Sequence, residues 1–369
     1  MRQLTILLLS ALFLAPAAAC ASLDILPHAT MSEEYDSNIS FLPTNAVSDW
    51  ITRAQVGLDV TYEGSHDSVK FKSDYFYRFY HAHTNFDNGS GYVNLDVSHD
   101  LTDKDHIGFT ENFRHGTDPS SLEDQFGRTS GRYTYTNNIL DTNYSRELTS
   151  WWKAILRYSN EIDHYSREDI SDNKRNTFGI GSEFTFSSTD IGLVDYKHTL
   201  RSYDPGGNVR VDTVTGGFRH YFTSDINLEA VTGYDFIRTI NNVTSTDPVY
   251  NITLTDSITD KLEAKLSYLW ENSTSAFSND LFKNHRYSLG FIDQVNRRLK
   301  VDLQGFFGHG VYQQSRQKQV LKGASFGYMY ELYPHWNLVN SISYTKQSSN
   351  VASAEYTRTF FSVGLRVEF

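Results

Sequence analysis

Short polar stretches rich in turn-forming residues recur along this chain at a nearly fixed interval. They are EGSHD at 63–67, TDKD at 102–105, LTS at 148–150, SSTD at 187–190, TSD at 223–225, ITDK at 258–261, VNRR at 295–298 and YPHW at 333–336. Most lie 36 to 39 residues apart; the longer gap, about 46, contains HGTDPSSLEDQFGRTSG at 115–131. One unit back from the first turn falls at Pro27–His28 and one unit on from the last falls on Phe369, so nine units fit. Each holds two segments joined by a longer, irregular loop such as SNISFLPTNAVS, DHYSREDISDNKR or YDPGGN. A propeller blade would need four strands in about 40 residues. Two segments per unit instead predict an all-β, antiparallel up-and-down transmembrane barrel of about 18 strands. Short turns and both chain ends would be periplasmic, and the longer loops extracellular.

The segments alternate with period two, so each has one apolar and one polar face. In 262–270, Leu262, Ala264, Leu266, Tyr268 and Trp270 oppose Glu263, Lys265 and Ser267. Similar splits occur at 53–62, 299–307 and 324–332. Lipid would penalise the polar set, by roughly 2–4 kcal/mol for an Arg or Lys at midplane, so that set is expected to line a wet interior. The resulting lumen-lining candidates are Arg53, Asp59, Lys70, Lys72, Asp74, Arg78, Asp96, Arg114, Lys153, Arg157, Glu183, Asp195, Lys197, Arg219, Glu229, Glu263, Lys265, Lys300 and Asp302. Both signs are present, so no ring of one charge that would select anions or cations is visible. Trp152, Tyr158, Tyr268, Trp270 and Trp336 suit interfacial girdles. One region is irregular: residues 132–144 alternate poorly, and Glu111 falls in the outward series of Ile107, Phe109 and Phe113. A bulge or register shift is the expectation there; the alternative is a stretch of wall that meets a partner.

The ends agree with a barrel. Residues 1–21 read as a signal peptide, with an early Arg2, an apolar run from Leu4 to Leu14 too short to span a bilayer, and an A-x-A site. Cleavage fits after Ala19 or Ala21, and Cys20 offers lipidation as an alternative. Residues 22–27 are expected as a short periplasmic segment, with the barrel occupying 28–369. The chain closes on Phe361, Val363, Leu365, Val367 and Phe369, alternating with polar residues. Such a terminal strand resembles the assembly signal of outer-membrane barrels. Aromatics make up 14% of the chain, yet its mean hydropathy is that of a water-soluble protein. Half-lipid, half-water strands produce that combination. The formal charge of −11 argues against a nucleic-acid partner.

Little points to catalysis. HAH at 81–83 is the one tight histidine pair, and EIDH at 161–164 sets carboxylates beside a histidine. Nothing assembles a nucleophile with its base, and no phosphate loop is present. No enzyme activity, metal or cofactor is expected.

Residues 33–80 carry a more specific pattern: Glu34, Tyr35, Asp36 and Asn38; then Ser48, Asp49, Ile51, Thr52 and Arg53; then Gly57, Leu58, Tyr62, Glu63 and Gly64. This stretch resembles the opening of the β-barrel porin type 2 family, associated with exopolysaccharide biosynthesis. The resemblance implies an outer-membrane channel through which a secreted or capsular polysaccharide leaves the cell. It also implies a separate periplasmic polysaccharide-export protein as partner, besides membrane lipid and the barrel-assembly machinery. A diffusion or oligosaccharide-uptake porin is the alternative, favoured if a loop such as 115–131 folds inward and narrows the lumen.

Overall fold

The computed structural model describes residues 22–117, 132–168, 170–239, 244–274 and 280–369. These residues form one closed sheet of 18 strands. In order they are β1 (Ser22–Asp36), β2 (Asp49–Glu63), β3 (Asp67–Tyr80), β4 (Asn88–Thr102), β5 (Asp105–Gly116), β6 (Tyr135–Thr149), β7 (Trp152–Tyr165), β8 (Asp172–Thr185) and β9 (Asp190–Asp204). The second half comprises β10 (Asn208–Tyr221), β11 (Ile226–Arg238), β12 (Thr244–Thr259), β13 (Leu262–Thr274), β14 (Leu281–Asn296), β15 (Leu299–Tyr312), β16 (Lys318–Tyr333), β17 (Trp336–Ser349) and β18 (Tyr356–Glu368). Each strand pairs antiparallel with its sequence neighbours, and β18 returns to β1. A strand of about 14 residues, rising ~3.3 Å per residue at a tilt of about 40°, spans more than the ~25 Å apolar belt of an outer membrane.

All eight turns fall where the repeat places them, and their chemistry explains why. The Thr102 hydroxyl accepts the N–H groups of Lys104 (3.2 Å) and Asp105 (3.1 Å). Thr223 does the same for Asp225 and Ile226, and Thr259 for Lys261 and Leu262. Asn296 Oδ1 accepts from Arg298 and Leu299. A short polar side chain that binds the backbone two and three residues on mimics a turn locally, without tertiary help.

Closure runs from His28 opposite Glu368 to Asp36 opposite Phe360, and the Phe369 N–H donates to the Pro27 carbonyl at 2.9 Å. Residues 22–27 are not a segment ahead of the barrel. They begin β1, pairing with β2 from Ser22 opposite Glu63 onward, and residues 22–26 reach past the end of β18 as a one-sided extension.

The expected bulge at Glu111 is absent. β5 pairs without interruption with β4 from Gly91 opposite His115 to Asp100 opposite His106, and with β6 along its whole length. Register shifts occur instead beside five of the short turns, at Asp100/Thr102, Glu147/Thr149, Asp256/Thr259, Asp293/Asn296 and Glu331/Tyr333. Glu111 therefore lies on the outer face between Leu95 and Leu140. The same face carries Asn138, Asn160 and Asn176, of which the last accepts from Asn160 (2.9 Å) and from the Tyr158 hydroxyl (3.0 Å). Mutual bonding lowers the cost of Asn160 and Asn176 in lipid, whereas Glu111 has no ion pair among the described residues. Glu111→Leu should accordingly raise the barrel's resistance to urea in detergent by about 1 kcal/mol. A loss of stability would mean that the carboxylate meets a partner in the membrane.

The lumen and its extracellular mouth

Residues opposite one another in an antiparallel ladder share a face. Contacts that pass over an intervening strand identify the concave one. Arg78 of β3 bonds Glu34 of β1 (3.1 Å), Arg366 of β18 approaches Asp59 of β2 (3.5 Å), and Arg219 of β10 approaches Glu183 of β8 (3.7 Å). The ladders carry this face around the wall. Arg53 lies opposite Arg78, Asp59 opposite Lys72 and Lys70 opposite Asp96. Arg114 faces Tyr92, which faces Asp74. Lys153 lies opposite Glu183, and Arg157 connects through Gly179 to Lys197. Arg219 faces Glu229; Glu263 connects through Ile292 to Asp302, and Lys265 through Gly290 to Gln304. Asp195 and Lys300 fall on the same parity. On β18, Phe361, Val363, Leu365 and Val367 take the opposite face, toward lipid.

Two recesses open from the lumen. One of about 480 Å³ is lined by Glu263, Lys265, Ser267, Arg286, Ser288, Gln304, Phe306, Ser325, Ser343 and Thr345. The other, about 510 Å³, lies among Lys72, Phe76, Arg78, Tyr92, Asn94, Asn112 and Arg114. Arg157 bonds Asp195, and Arg219 bonds Glu229 at 2.7 Å. Lys72, Arg114, Lys197, Lys265 and Lys300 have no carboxylate within 4.0 Å among the described residues, so they stay available to solutes. Paired and unpaired charges of both signs give a wet passage that can exchange hydrogen bonds with a polar solute along its length.

In the densest part of this wall, at the closing seam, the sequence reading found Arg53, Asp74 and Arg78 but missed their partners on β1, His28 and Glu34, and the Asp36–Arg358 pair. His28 Nε2 lies 2.9 Å from Asp74 Oδ1. Glu34 is held by Arg78 and, at 3.5 Å, by Arg53, and both guanidinium groups lie over the Phe76 ring, at 4.1 and 4.9 Å. Arg358 grips Asp36 through Nε and a terminal nitrogen at 2.8–3.0 Å. The stretch SEEYD is polar at nearly every position, so alternation gave no parity for β1. The register against β2 supplies it.

Exposure changes along the passage. On β3 the inward Lys70 and Lys72 are exposed, whereas Asp74, Arg78 and Tyr80 are buried. On β16 and β17, Gln319, Leu321, Thr345 and Gln347 are all buried. Among the described residues, every buried apolar side chain except Ile155 lies at or near an extracellular loop. The close-packed part of this protein is its mouth.

Buried clusters form there around Tyr133 and Ile170, around Tyr203 and Leu281, and on loop 37–48, between β1 and β2. Its Ile39 is 1% exposed, packed with Ile51, Tyr80, Val47 and Phe86. Phe41, 2% exposed, lies edge-on to Tyr356 (5.8 Å) beneath the Arg358 guanidinium (4.9 Å). Phe41 takes a left-handed φ of 53°, a conformation that only surrounding contacts hold in a bulky residue. The side chain of Asn38 ties the loop across the seam, donating to the carbonyls of Leu42 (2.9 Å) and Thr357 (3.1 Å). Arg132 joins the same cluster, lying over the Tyr80 and Phe86 rings and donating to the Tyr80 hydroxyl at 2.7 Å. The loop expected to fold inward, 115–131, lies mostly outside the described residues, as do the signal peptide and Cys20.

The suspected chemical clusters diverge. His83 bonds Asp49 (3.0 Å), whereas His81 bonds the Thr52 hydroxyl (2.9 Å). Glu161 turns to Arg175, and His164 to Asp172 at 2.8 Å. Among the described residues no group of His, Cys, Asp and Glu is placed to hold a metal ion.

A closed 18-stranded barrel with an apolar outer belt and a charged lumen is an integral outer-membrane protein of the porin architecture. No family model matches the sequence, and no curated protein matches it. Solved structures do. OccK2 (OpdF) of Pseudomonas aeruginosa superposes with a TM-score of 0.51 at 8% identity, covering 94% of this chain and 98% of that one. OccK1 (OpdK) of the same organism gives 0.50 at 10% identity, over 94% and 99%. At such identities the likeness concerns the fold.

Proposed function

We propose that this protein is an uptake porin admitting small hydrophilic solutes across the outer membrane. The observation that carries the reading is the mouth: loop 37–48 packs against the rim beside the closing seam, and among the described residues the buried apolar side chains gather at the extracellular end. A polysaccharide leaving the cell would have to thread this close-packed rim, which weighs against the export reading that the resemblance suggested. A small solute is also in keeping with one fold neighbour, OpdK, which has been crystallised with vanillate. On the export reading a separate periplasmic export protein would have to act with the barrel; on the uptake reading the barrel works alone.

Purified protein in proteoliposomes should therefore pass monosaccharides and amino acids, measured by swelling, with a steep size cut-off and no partner added. A clean deletion of the gene should leave extracellular polysaccharide unchanged. Silent proteoliposomes together with polymer trapped in the envelope of the deletion strain would restore export as the function.

A further inference from the structure

The outer surface of β14–β17, at the extracellular edge of the apolar belt, carries a pairing that works against the fold in isolation. Lys322 lies directly opposite Lys346. Both are on the lipid side, since Lys322 also faces the exposed Phe307 of β15 and the next outward pair below is Ala324 with Tyr344. Like charges directly opposite in a ladder destabilise it, and neither lysine has a carboxylate within 4.0 Å among the described residues. Lys318 continues the same face upward. Glu355, on this side of the rim, is engaged by the Ser349 N–H at 3.2 Å. Such a cluster is conspicuous in a chain with 33 basic against 44 acidic residues.

Depth tells what meets it. From Tyr330, in the aromatic band near the periplasmic turn, eight residues up β16 rise about 20 Å at ~3.3 Å each and a tilt of about 40°. That places the lysine backbones just inside the outer edge of the ~25 Å belt, and side chains about 6 Å long carry the ammonium groups to the headgroup layer of the outer leaflet. Below them the wall is apolar and exposed, through Phe326, Ile342 and Leu303. Basic groups above an apolar strip match a molecule with phosphate at one end and acyl chains at the other. We propose that Lys322 and Lys346, assisted by Lys318, bind the phosphate of an outer-leaflet glycolipid whose acyl chains lie along that strip. The phosphate sits between the two ammonium groups and turns their repulsion into a shared ion pair. This site is on the outside of the wall and is independent of what passes through the lumen.

The test is native mass spectrometry of the detergent-solubilised full barrel titrated with lipopolysaccharide, for the wild type, the double variant Lys322→Gln/Lys346→Gln and a lumen control, Lys70→Gln/Lys72→Gln. At about fivefold in affinity per lysine, the double variant should bind about 25-fold more weakly and the lumen control normally. Dephosphorylated lipopolysaccharide should lose the difference between wild type and double variant, and millimolar inorganic phosphate should compete poorly. Lipid-free, the double variant should be at least as resistant to heat as the wild type, because a like-charge contact has gone. Equal lipopolysaccharide affinity in the wild type and the double variant would overturn the proposal. So would inorganic phosphate that displaces the lipid at low concentration, because the site would then be a simple anion site.

Discussion

Removing the guanidinium of Arg358 should open the mouth of this barrel. In the folded barrel Arg358 and Asp36 are each 3% exposed and bonded through three contacts. Arg358→Ala leaves a buried carboxylate without its cation, a change that costs about 3–5 kcal/mol where nothing relaxes. Here something can relax. The same guanidinium covers Phe41, whose left-handed backbone adds strain on the order of 1–3 kcal/mol. Losing the cover lets loop 37–48 lift into water, which resolvates Asp36 and relieves the strain while the ladders stay intact. Single-channel conductance in planar bilayers should rise several-fold, and Arg358→Lys, which keeps charge but loses the two-pronged grip, should fall between. Conductance unchanged in a variant of reduced stability would show that the loop does not set the narrow point.

The larger effect on cellular levels should come from the last strand. β18 is the strand that joins sequence end to sequence start, and Phe369 anchors its tip through the bond to Pro27. Truncation after Leu365 would leave the edges of β1 and β17 with unpaired N–H and C=O groups facing lipid, at several kcal/mol each. Phe369→Ser alone removes an aromatic that is 71% exposed on the lipid side, worth about 2–3 kcal/mol of apolar contact. Folded barrel in outer-membrane fractions, read by its heat-dependent gel mobility, should nearly vanish for the truncation and drop several-fold for Phe369→Ser. Ser362→Ala, on the lumen side of the same strand, should leave it unchanged. Normal levels of the truncated chain would mean that closure and delivery to the membrane do not depend on this end.

The two effects differ in how far the sequence announces them. The terminal strand is legible because alternation is a local property: Phe361 and Val363 face lipid whatever their neighbours are. The grip of Arg358 on Asp36 spans 322 residues and exists because the last strand lies against the first. Alternation marks neither residue, since Asp36 sits in a polar run and Arg358 among threonines, and the pattern over 33–80 that includes Asp36 does not name its partner. Glu111 is the converse case. The sequence pattern invited a bulge to turn it from lipid, but the ladders on both sides of β5 continue through it, and a one-residue slip would have moved every other side chain of the strand to the wrong face.

What the sequence determined by itself is the barrel: eight short turns, four of them with a Thr or Asn side chain that binds the N–H groups two and three residues on, and strands whose period of two separates lipid from lumen. Both are short-range chemistry. The tertiary structure decided which charges meet at the seam, that loop 37–48 packs against the rim there, and that two lysines face each other across β16 and β17. Those facts depend on register and closure. Hydrogen bonding between strands fixes them, because an edge left open in lipid costs more than any single side chain can offset.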